Sequence, residues 1–240
     1  MRILITNDDG ISSPALPRLA AWAKKLGDVT VVAPREEQSG KSQAIDFKNP
    51  VRVTRVAMEG VEAWAMNSTP ADCVRFGITG LGVKYDLVFS GINRGYNLGD
   101  DIAYSGTIGA IFEAARLETR AIALSTGIDS FEPAFSSLDE VYSFITDHRM
   151  LDHAKLLNIN FPTTPMNGIS VTKQGGMFYS DAFLKLENDM YIQVGEPVET
   201  ESDDLSIDIV ALQHGYVSVS PLTAVKTDFE AYEKLKSFNL

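Results

Sequence analysis

Four polar residues follow predicted strands in the first hundred positions, and their side chains are of the kind that binds hard cations. Asp8 and Asp9 come directly after the apolar run at residues 3–5 in MRILITNDDG. Adjacent carboxylates repel one another and are costly to desolvate beside a core unless a cation lies between them. Ser39 follows a second apolar run and Asn93 follows a third. Carboxylate, hydroxyl and amide oxygens together favour Mg²⁺, Mn²⁺ or Ca²⁺.

A second chemical feature is the glycine-rich stretch SGINRGYNLGDDIAYSGTIGA at residues 90–110. Ser105, Gly106 and Thr107 lie at the predicted start of a helix, where free backbone N–H groups, two hydroxyls and the helix dipole favour a phosphate. Serine and threonine also cap many helices that bind nothing, so this stretch alone leaves both interpretations open. The acidic strand end nearby favours the phosphate site. Lys41 and Arg94 are candidate phosphate contacts, although cations in loops usually face water.

These residues need a scaffold that brings separate strand ends together. The first half alternates predicted strands, at 2–6, 29–33, 86–90 and 121–125, with predicted helices at 14–26, from 68 onward and at 107–117. The segment VRVTRVAMEGVEAWAM predicts a β-hairpin. Alternation of this kind predicts a parallel sheet with helices on both faces and ligands beyond the carboxyl ends of its strands. We therefore predict an α/β fold, with a mostly parallel, Rossmann-like sheet in three α/β/α layers.

The pattern changes after about residue 147. Residues 156–161 predict another strand, and residues 169–173, 190–194, 205–212 and 216–219 resemble antiparallel strands. A helix is predicted at 227–238, and the acidic residues 196–204 predict a solvated loop. We predict two parts, a metal- and phosphate-binding α/β core at 1–150 and a smaller antiparallel C-terminal part at 151–240. The second part would contain β-hairpins, an oligomerisation arm and the terminal helix.

Composition excludes some classes of function. The chain has 240 residues and a net charge of −11, which argues against wrapping a nucleic-acid backbone. No stretch approaches the roughly 18 consecutive apolar residues of a membrane span, and we expect no signal peptide before the first strand. Cys73 is the single cysteine, which excludes an internal disulfide and fits a cytoplasmic protein. The histidines, at 148, 153 and 214, lie far along the chain from the acidic pair.

Several motifs in combination resemble the SurE family, the survival-protein nucleotidases. The matching pieces are NDDGI at 7–11, VVAP followed by SG at 31–40, TPADCV at 69–74, SGIN-x-G-x-NLG at 90–99, YSGT at 104–107 and GYVSVSPL at 215–222. They occur in order and cover most of the chain. In combination they are highly specific.

The resemblance implies a metal-dependent phosphomonoesterase that hydrolyses nucleoside 5′- and 3′-monophosphates to nucleoside and phosphate. It implies one divalent cation per subunit, Mg²⁺ or Mn²⁺, at Asp8, Asp9, Ser39 and Asn93. It implies phosphate contacts at Asn97, Ser105, Gly106 and Thr107. It also implies a homodimer or homotetramer that exchanges a C-terminal arm, and it leaves open whether short polyphosphate is a further substrate.

Asp8 and Asp9 are also the predicted catalytic residues. Two acids that share one cation are poor nucleophiles, which favours direct attack by water over an aspartyl-phosphate intermediate. Asp9 is the better candidate to orient or deprotonate that water. Two other classes of protein stay open. A Mg²⁺-dependent phosphoacceptor signalling module would need an aspartate where this chain has Asn93, and a non-catalytic nucleotide-binding protein is excluded less firmly.

Overall fold

The computed structural model describes residues 1–198 and 200–238 and contains a nine-stranded sheet and a separate two-stranded ribbon. The strands are β1 (Arg2–Thr6), β2 (Asp28–Pro34), β3 (Val53–Val56), β4 (Glu62–Met66), β5 (Leu87–Arg94), β6 (Arg120–Thr126), β7 (Leu156–Phe161), β8 (Gly168–Val171), β9 (Ala182–Lys185), β10 (Tyr191–Val194) and β11 (Tyr216–Leu222). The helices are α1 (Ala15–Ala23), α2 (Pro70–Arg75), α3 (Gly106–Arg116), α4 (Glu132–Asp147), α5 (Met150–His153), α6 (Asp208–Gln213) and α7 (Phe229–Leu235). The large sheet has the order β3-β4-β2-β1-β5-β6-β7-β11-β8.

Alternate side chains of the central strand belong to two different cores. Ile3 and Ile5 pack in one core with Leu16 of α1 and with residues of α4. Leu4 packs in the other core with Ile111 of α3 and with residues of α2. Because successive side chains of a strand point to opposite faces, helices cover the sheet on both sides. The predicted three-layer α/β/α fold with a mostly parallel sheet is confirmed.

The strands that carry the predicted ligands are neighbours and run in the same direction. Strand β1 pairs in parallel with β2 on one side, where Ile5 faces Val31, and with β5 on the other, where Ile5 faces Phe89. Strands β6 and β7 continue the parallel arrangement beyond β5. The carboxyl ends of β2, β1 and β5 therefore lie at one edge of the sheet.

The hairpin predicted within residues 51–66 is present as antiparallel β3 and β4. The helix predicted from residue 68 is α2, and the Thr69 side chain accepts the backbone N–H of Asp72 at its start. Gly91 in β5 has φ of +137°, and a Cβ there would lie 2.3 Å from the carbonyl oxygen of Leu124 in β6. Only glycine permits that close approach of the two strands. The β5–β6 register shifts at this point, between Ser90 and Asn93.

Two expectations for the second half are wrong. Residues 169–173 were expected to form an antiparallel strand, but β8 pairs in parallel with β11, which is itself antiparallel to β7. Residues 205–212 were expected to form a strand and instead lead into α6. Its Ile209 and Leu212 pack against Leu98 and Phe178, so tertiary packing overrides the strand propensity of the β-branched run. Helix α4 was not predicted.

The proposed division near residue 150 stays a prediction, and strands from both sides of it form the large sheet. The ribbon of β9 and β10 is antiparallel, and all but one of its side chains are exposed. Within the described ranges, no helix is long and apolar enough to cross a membrane.

Candidate metal and phosphate site

The ends of β2, β1 and β5 meet at a single pocket. The backbone N–H of Gln38, just after β2, donates to the carbonyl oxygen of Asp8 at 2.7 Å. At the end of β5, the backbone amide of Arg94 stabilises the ionised form of Asp9. The pocket has a volume of about 410 Å³ and is lined by Asp9, Ser12, Ser13, Pro14, Glu37, Ser39, Arg94 and Phe131. The structure therefore brings the predicted strand ends together.

Asp8 lies under this pocket and is held by the start of α3. The Thr107 hydroxyl donates to Oδ1 of Asp8 at 2.6 Å, and the Thr107 backbone N–H donates to Oδ2 at 3.2 Å. A Cβ at Gly106 would lie 3.0 Å from the Cβ of Asp8, so glycine allows the helix to approach this closely. Burial raises the pKa of Asp8, and the hydrogen bonds from Thr107 oppose that change.

Asp9 receives fewer hydrogen bonds from the described residues than Asp8 does. Burial and the neighbouring charge of Asp8 raise the pKa of Asp9 to about 6. In the described part of the chain, Oδ2 of Asp9 is buried and has no hydrogen-bond partner. An unpartnered carboxylate oxygen beside a second carboxylate is costly unless a cation compensates it. This site therefore fits a divalent cation.

Ser39 and Asn93 both keep oxygen lone pairs that could bind a cation, and of the two only Ser39 is among the described residues that line the pocket. The Ser39 hydroxyl donates to Oε1 of Glu37 at 2.6 Å. An ionised carboxylate only accepts, so the lone pairs of the serine oxygen remain available. The Asn93 amide nitrogen donates to the Gly95 carbonyl at 2.8 Å, which leaves its Oδ1 as an acceptor. Among the described residues no three His, Cys, Asp or Glu side chains group as ligands, so the candidate set combines two carboxylates with neutral oxygens.

The predicted phosphate residues have other partners in this structure. The Ser105 hydroxyl accepts the backbone N–H of Ile108 at 3.2 Å and caps α3. The Thr107 hydroxyl hydrogen is directed to Asp8, so the expectation that it faces the phosphate stays untested. The Asn97 side chain donates to Oγ of Ser125 at 2.7 Å. Ser105, Gly106 and Thr107 thus lie beside Asp8, whereas Asn97 belongs to a neighbouring polar network.

Sequence reasoning missed two groups of residues. Glu37 lies close enough to both aspartates to raise the pKa of each. The sequence feature that could have identified it is an acid two positions before Ser39. Asn158 and Asn160 each donate a side-chain N–H to the carbonyl of Asn97 at 2.8 Å. The sequence feature that could have identified them is the pair of asparagines at alternate positions in the otherwise apolar run LLNINF.

Comparisons with known proteins agree with one another. The family model described as "Survival protein SurE" matches residues 3–181. Proteins named "5'-nucleotidase SurE" from Acinetobacter baumannii (strain SDF) and Petrotoga mobilis are each 37% identical, over 255 and 251 residues, with 99% of both chains covered. One of the same name from Clostridium botulinum is 36% identical over 249 residues, covering 98% of each chain. The crystal structure of the SurE protein from Aquifex aeolicus is similar with a TM-score of 0.84 and 32% identity, covering 99% of both chains.

Proposed function

The chain belongs to the SurE family, and on that premise we propose that it is a 5′-nucleotidase, a phosphomonoesterase that releases phosphate from nucleoside monophosphates. Relatives of nearly the same length carry that name. One observation carries the proposal for this chain. Oδ2 of Asp9 is buried without a hydrogen-bond partner among the described residues, at the pocket where three parallel strands end.

The residues proposed to hold one divalent cation, Mg²⁺ or Mn²⁺, are Asp8, Asp9, Ser39 and Asn93. Bound there, the cation would offset the charge of the paired carboxylates and stabilise negative charge on the transferred phosphate. The support for this set is its chemistry, since all four side chains can offer an oxygen acceptor and no softer ligand is present among them. The hydrogen bonds of Thr107 hold Asp8 in one orientation.

Side chains and backbone groups near Asp8 and Asp9 would position the substrate and the attacking water. Gly106 begins α3, so the positive end of the helix lies beside Asp8 and would attract the phosphate. Two of the N–H groups at this end already have partners, since that of Thr107 donates to Asp8 and that of Ile108 donates to Ser105. Ser105 and Thr107 flank that helix start, and Asn97 is proposed as a further contact through the same loop. Asp9 lines the pocket, and its carboxylate would accept a hydrogen bond from the attacking water. Orientation of that water is the contribution we assign to Asp9.

We also propose a homodimer or homotetramer, with the C-terminal part as the arm. The ribbon exposes apolar side chains on both of its faces, including Phe183, Leu184, Tyr191 and Ile192. Neighbouring exposed apolar side chains of this kind are typical of an interaction site. The net charge of −11 supports the absence of nucleic-acid partners, and the single buried thiol of Cys73 supports a cytoplasmic location.

Phosphate release tests the proposal and ranks the substrates. The chain is treated with EDTA, then supplied with Mg²⁺, Mn²⁺ or Co²⁺ and with 5′-monophosphates, 3′-monophosphates or short polyphosphate. We expect steady release from nucleoside 5′-monophosphates, and the relative rates with the other two substrates will show how far the activity extends. A phosphoacceptor module would instead take up at most one phosphoryl group per chain, and a binding protein would release none.

A further inference from the structure

Two cations near the pocket are candidates to contact a phosphate, and the structure separates them. Arg94 lines the pocket together with Asp9 and Ser39. Lys41 lies only two residues beyond Ser39 and, like Arg94, is exposed, but it is not among the described residues that line the pocket. We propose that Arg94 is a substrate-binding residue that contacts the non-bridging oxygens of the substrate phosphate. This inference rests on the proposed function, because it concerns the same pocket.

The pocket is rich in acidic side chains. Asp9 and Glu37 line it and Asp8 lies beneath, so a phosphate dianion meets three acidic side chains there. A single cation of charge +2 does not balance these acids and the dianion together. Arg94 is the one basic side chain among the described residues of the pocket lining. It supplies the positive charge that an anionic substrate needs on the solvent side of the site.

An aromatic ring packs against the Arg94 guanidinium. Its guanidinium carbon lies 5.3 Å from the centre of the Phe131 ring, and that ring forms part of the same wall. A contact of this kind orients a guanidinium while leaving its N–H groups free. Within residues 1–198 and 200–238, Arg94 forms no salt bridge, in contrast to Arg18, whose guanidinium is paired with Glu132. A guanidinium that is oriented and unpaired can bind two phosphate oxygens at once.

Replacement of Arg94 should change the affinity for phosphate and the affinity for a divalent cation differently. Arg94 and Asp9 line the same pocket, so the positive charge of Arg94 repels a cation bound there. Replacing Arg94 with an uncharged residue should therefore weaken the binding of phosphate while leaving the binding of a divalent cation unchanged or tighter. A general loss of structure at the site would weaken both. The sign of the change in metal affinity thus separates a direct phosphate contact from a packing role against Phe131.

Calorimetry on the full-length chain tests the inference without relying on turnover. Inorganic phosphate is titrated into the Mg²⁺-saturated chain, and Mn²⁺ is titrated into the EDTA-treated chain. The variants are R94M, which keeps the length of the side chain, R94K, which keeps the charge, and K41M as the matched control. We expect R94M to bind phosphate about 10- to 100-fold more weakly, R94K to lie between R94M and the parent, and K41M to change neither titration.

Steady-state kinetics with a nucleoside 5′-monophosphate should place the loss in KM rather than kcat, because a contact to the bound phosphate persists into the transition state. Phosphate binding by R94M within twofold of the parent would overturn the inference, as would equal losses in R94M and K41M. Loss of Mn²⁺ binding in R94M would assign Arg94 a packing role and overturn it as well. A parent chain that binds phosphate but hydrolyses no nucleotide would refute the proposed function. In that case the phosphate and Mn²⁺ titrations alone would decide the role of Arg94.

Discussion

Thr107 donates two hydrogen bonds to Asp8, from its hydroxyl to Oδ1 at 2.6 Å and from its backbone N–H to Oδ2 at 3.2 Å. The two residues are 99 positions apart in the chain, so these bonds connect the end of β1 to the start of α3. Both oxygens of Asp8 are therefore fixed by one residue. A residue proposed to bind the metal and a residue proposed to contact the phosphate are thus directly bonded, and a change at Thr107 should affect both functions.

Substitution of Thr107 tests this connection. Thr107→Val keeps the shape of the side chain and removes the hydroxyl donor to Asp8. Because groups that orient a metal ligand typically contribute 10- to 100-fold to metal affinity, we expect Mn²⁺ binding to weaken by about that factor. The kcat/KM value should fall as well. Thr107→Ser retains the hydroxyl, and its Mn²⁺ affinity should stay close to that of the parent. If calorimetric titration finds the parental Mn²⁺ affinity in the valine variant, Thr107 has no role beyond its place in the helix.

Glu37 should contribute to metal affinity through Ser39. It accepts the Ser39 hydroxyl hydrogen at 2.6 Å and adds negative charge near both aspartates. Glu37→Gln weakens both effects, and because Glu37 is exposed we expect a loss of only about tenfold in Mn²⁺ affinity. Glu36→Gln is the matched control, since it removes the same charge from the neighbouring exposed position. Equal losses in the two variants would indicate a general effect of net charge.

A buried carboxylate in α3 should make stability depend on pH. Glu113 is 2% exposed and accepts hydrogen bonds from Arg75, Arg116 and Gln43 at 2.6–3.0 Å. Burial alone would raise its pKa, but these partners lower it below the usual value. A lowered pKa in the folded state stabilises the protein above the unfolded-state pKa of about 4.3, and this contribution is lost as the pH falls through the folded-state pKa.

Glu113→Gln should therefore destabilise the protein at pH 7 by about 1–3 kcal/mol. The value lies below the usual loss for a buried pair because the side chains of Arg75 and Arg116 are 37% and 51% exposed. Urea unfolding at pH 7 and near pH 3.5 should show the difference between parent and variant narrowing in acid. Glu118→Gln, an exposed acid just beyond the same helix, should have little effect at either pH. A difference that is independent of pH would contradict the assignment.

The exposed ribbon should be part of an interface between copies of the chain. Leu184 of β9 and Ile192 of β10 face one another across the ribbon and are 54% and 49% exposed. Light scattering at micromolar concentration should give the mass of a dimer or a tetramer. The double variant L184E/I192E places charges at that surface and should shift the mass toward a monomer. A parent chain that is monomeric under these conditions would rule out the arm.

Much of the site could be predicted because its signals are local. Each predicted ligand follows a short apolar strand, and the rule that parallel strands end at one edge predicts that Asp8, Asp9, Ser39 and Asn93 lie together. The ends of the three strands do meet at one edge, whereas the ligand set itself stays a prediction. The direction of each hydrogen bond could not be predicted in this way. The Thr107 hydroxyl donates to Asp8 because segments distant in sequence pack together. The Ser39 hydroxyl donates to Glu37 because of a loop conformation that no sequence periodicity encodes.

The error at residues 205–212 has a similar cause. Ile209 and Val210 suggest a strand, but the Asp208 carboxylate accepts the backbone N–H groups of Gly99 and Gly175 at 2.9 and 2.7 Å. Those partners lie more than thirty residues away and cannot be found from a local pattern. The bond from Gly99 joins the start of α6 to the segment that leads to α3.

Phosphate release by the Asp9→Asn variant is the most direct test of the central claim, that paired carboxylates at the end of β1 hold a cation for phosphate hydrolysis. The parent, Asp9→Asn and the control Asp147→Asn, an exposed acid at the end of α4, are treated with EDTA and assayed on a nucleoside 5′-monophosphate before and after Mn²⁺ is added. We predict no release from any of them with EDTA, full recovery by the parent and the control with Mn²⁺, and a rate at least about 100-fold lower for Asp9→Asn. Release by the EDTA-treated parent, or recovery of Asp9→Asn to the parental rate, would contradict the claim.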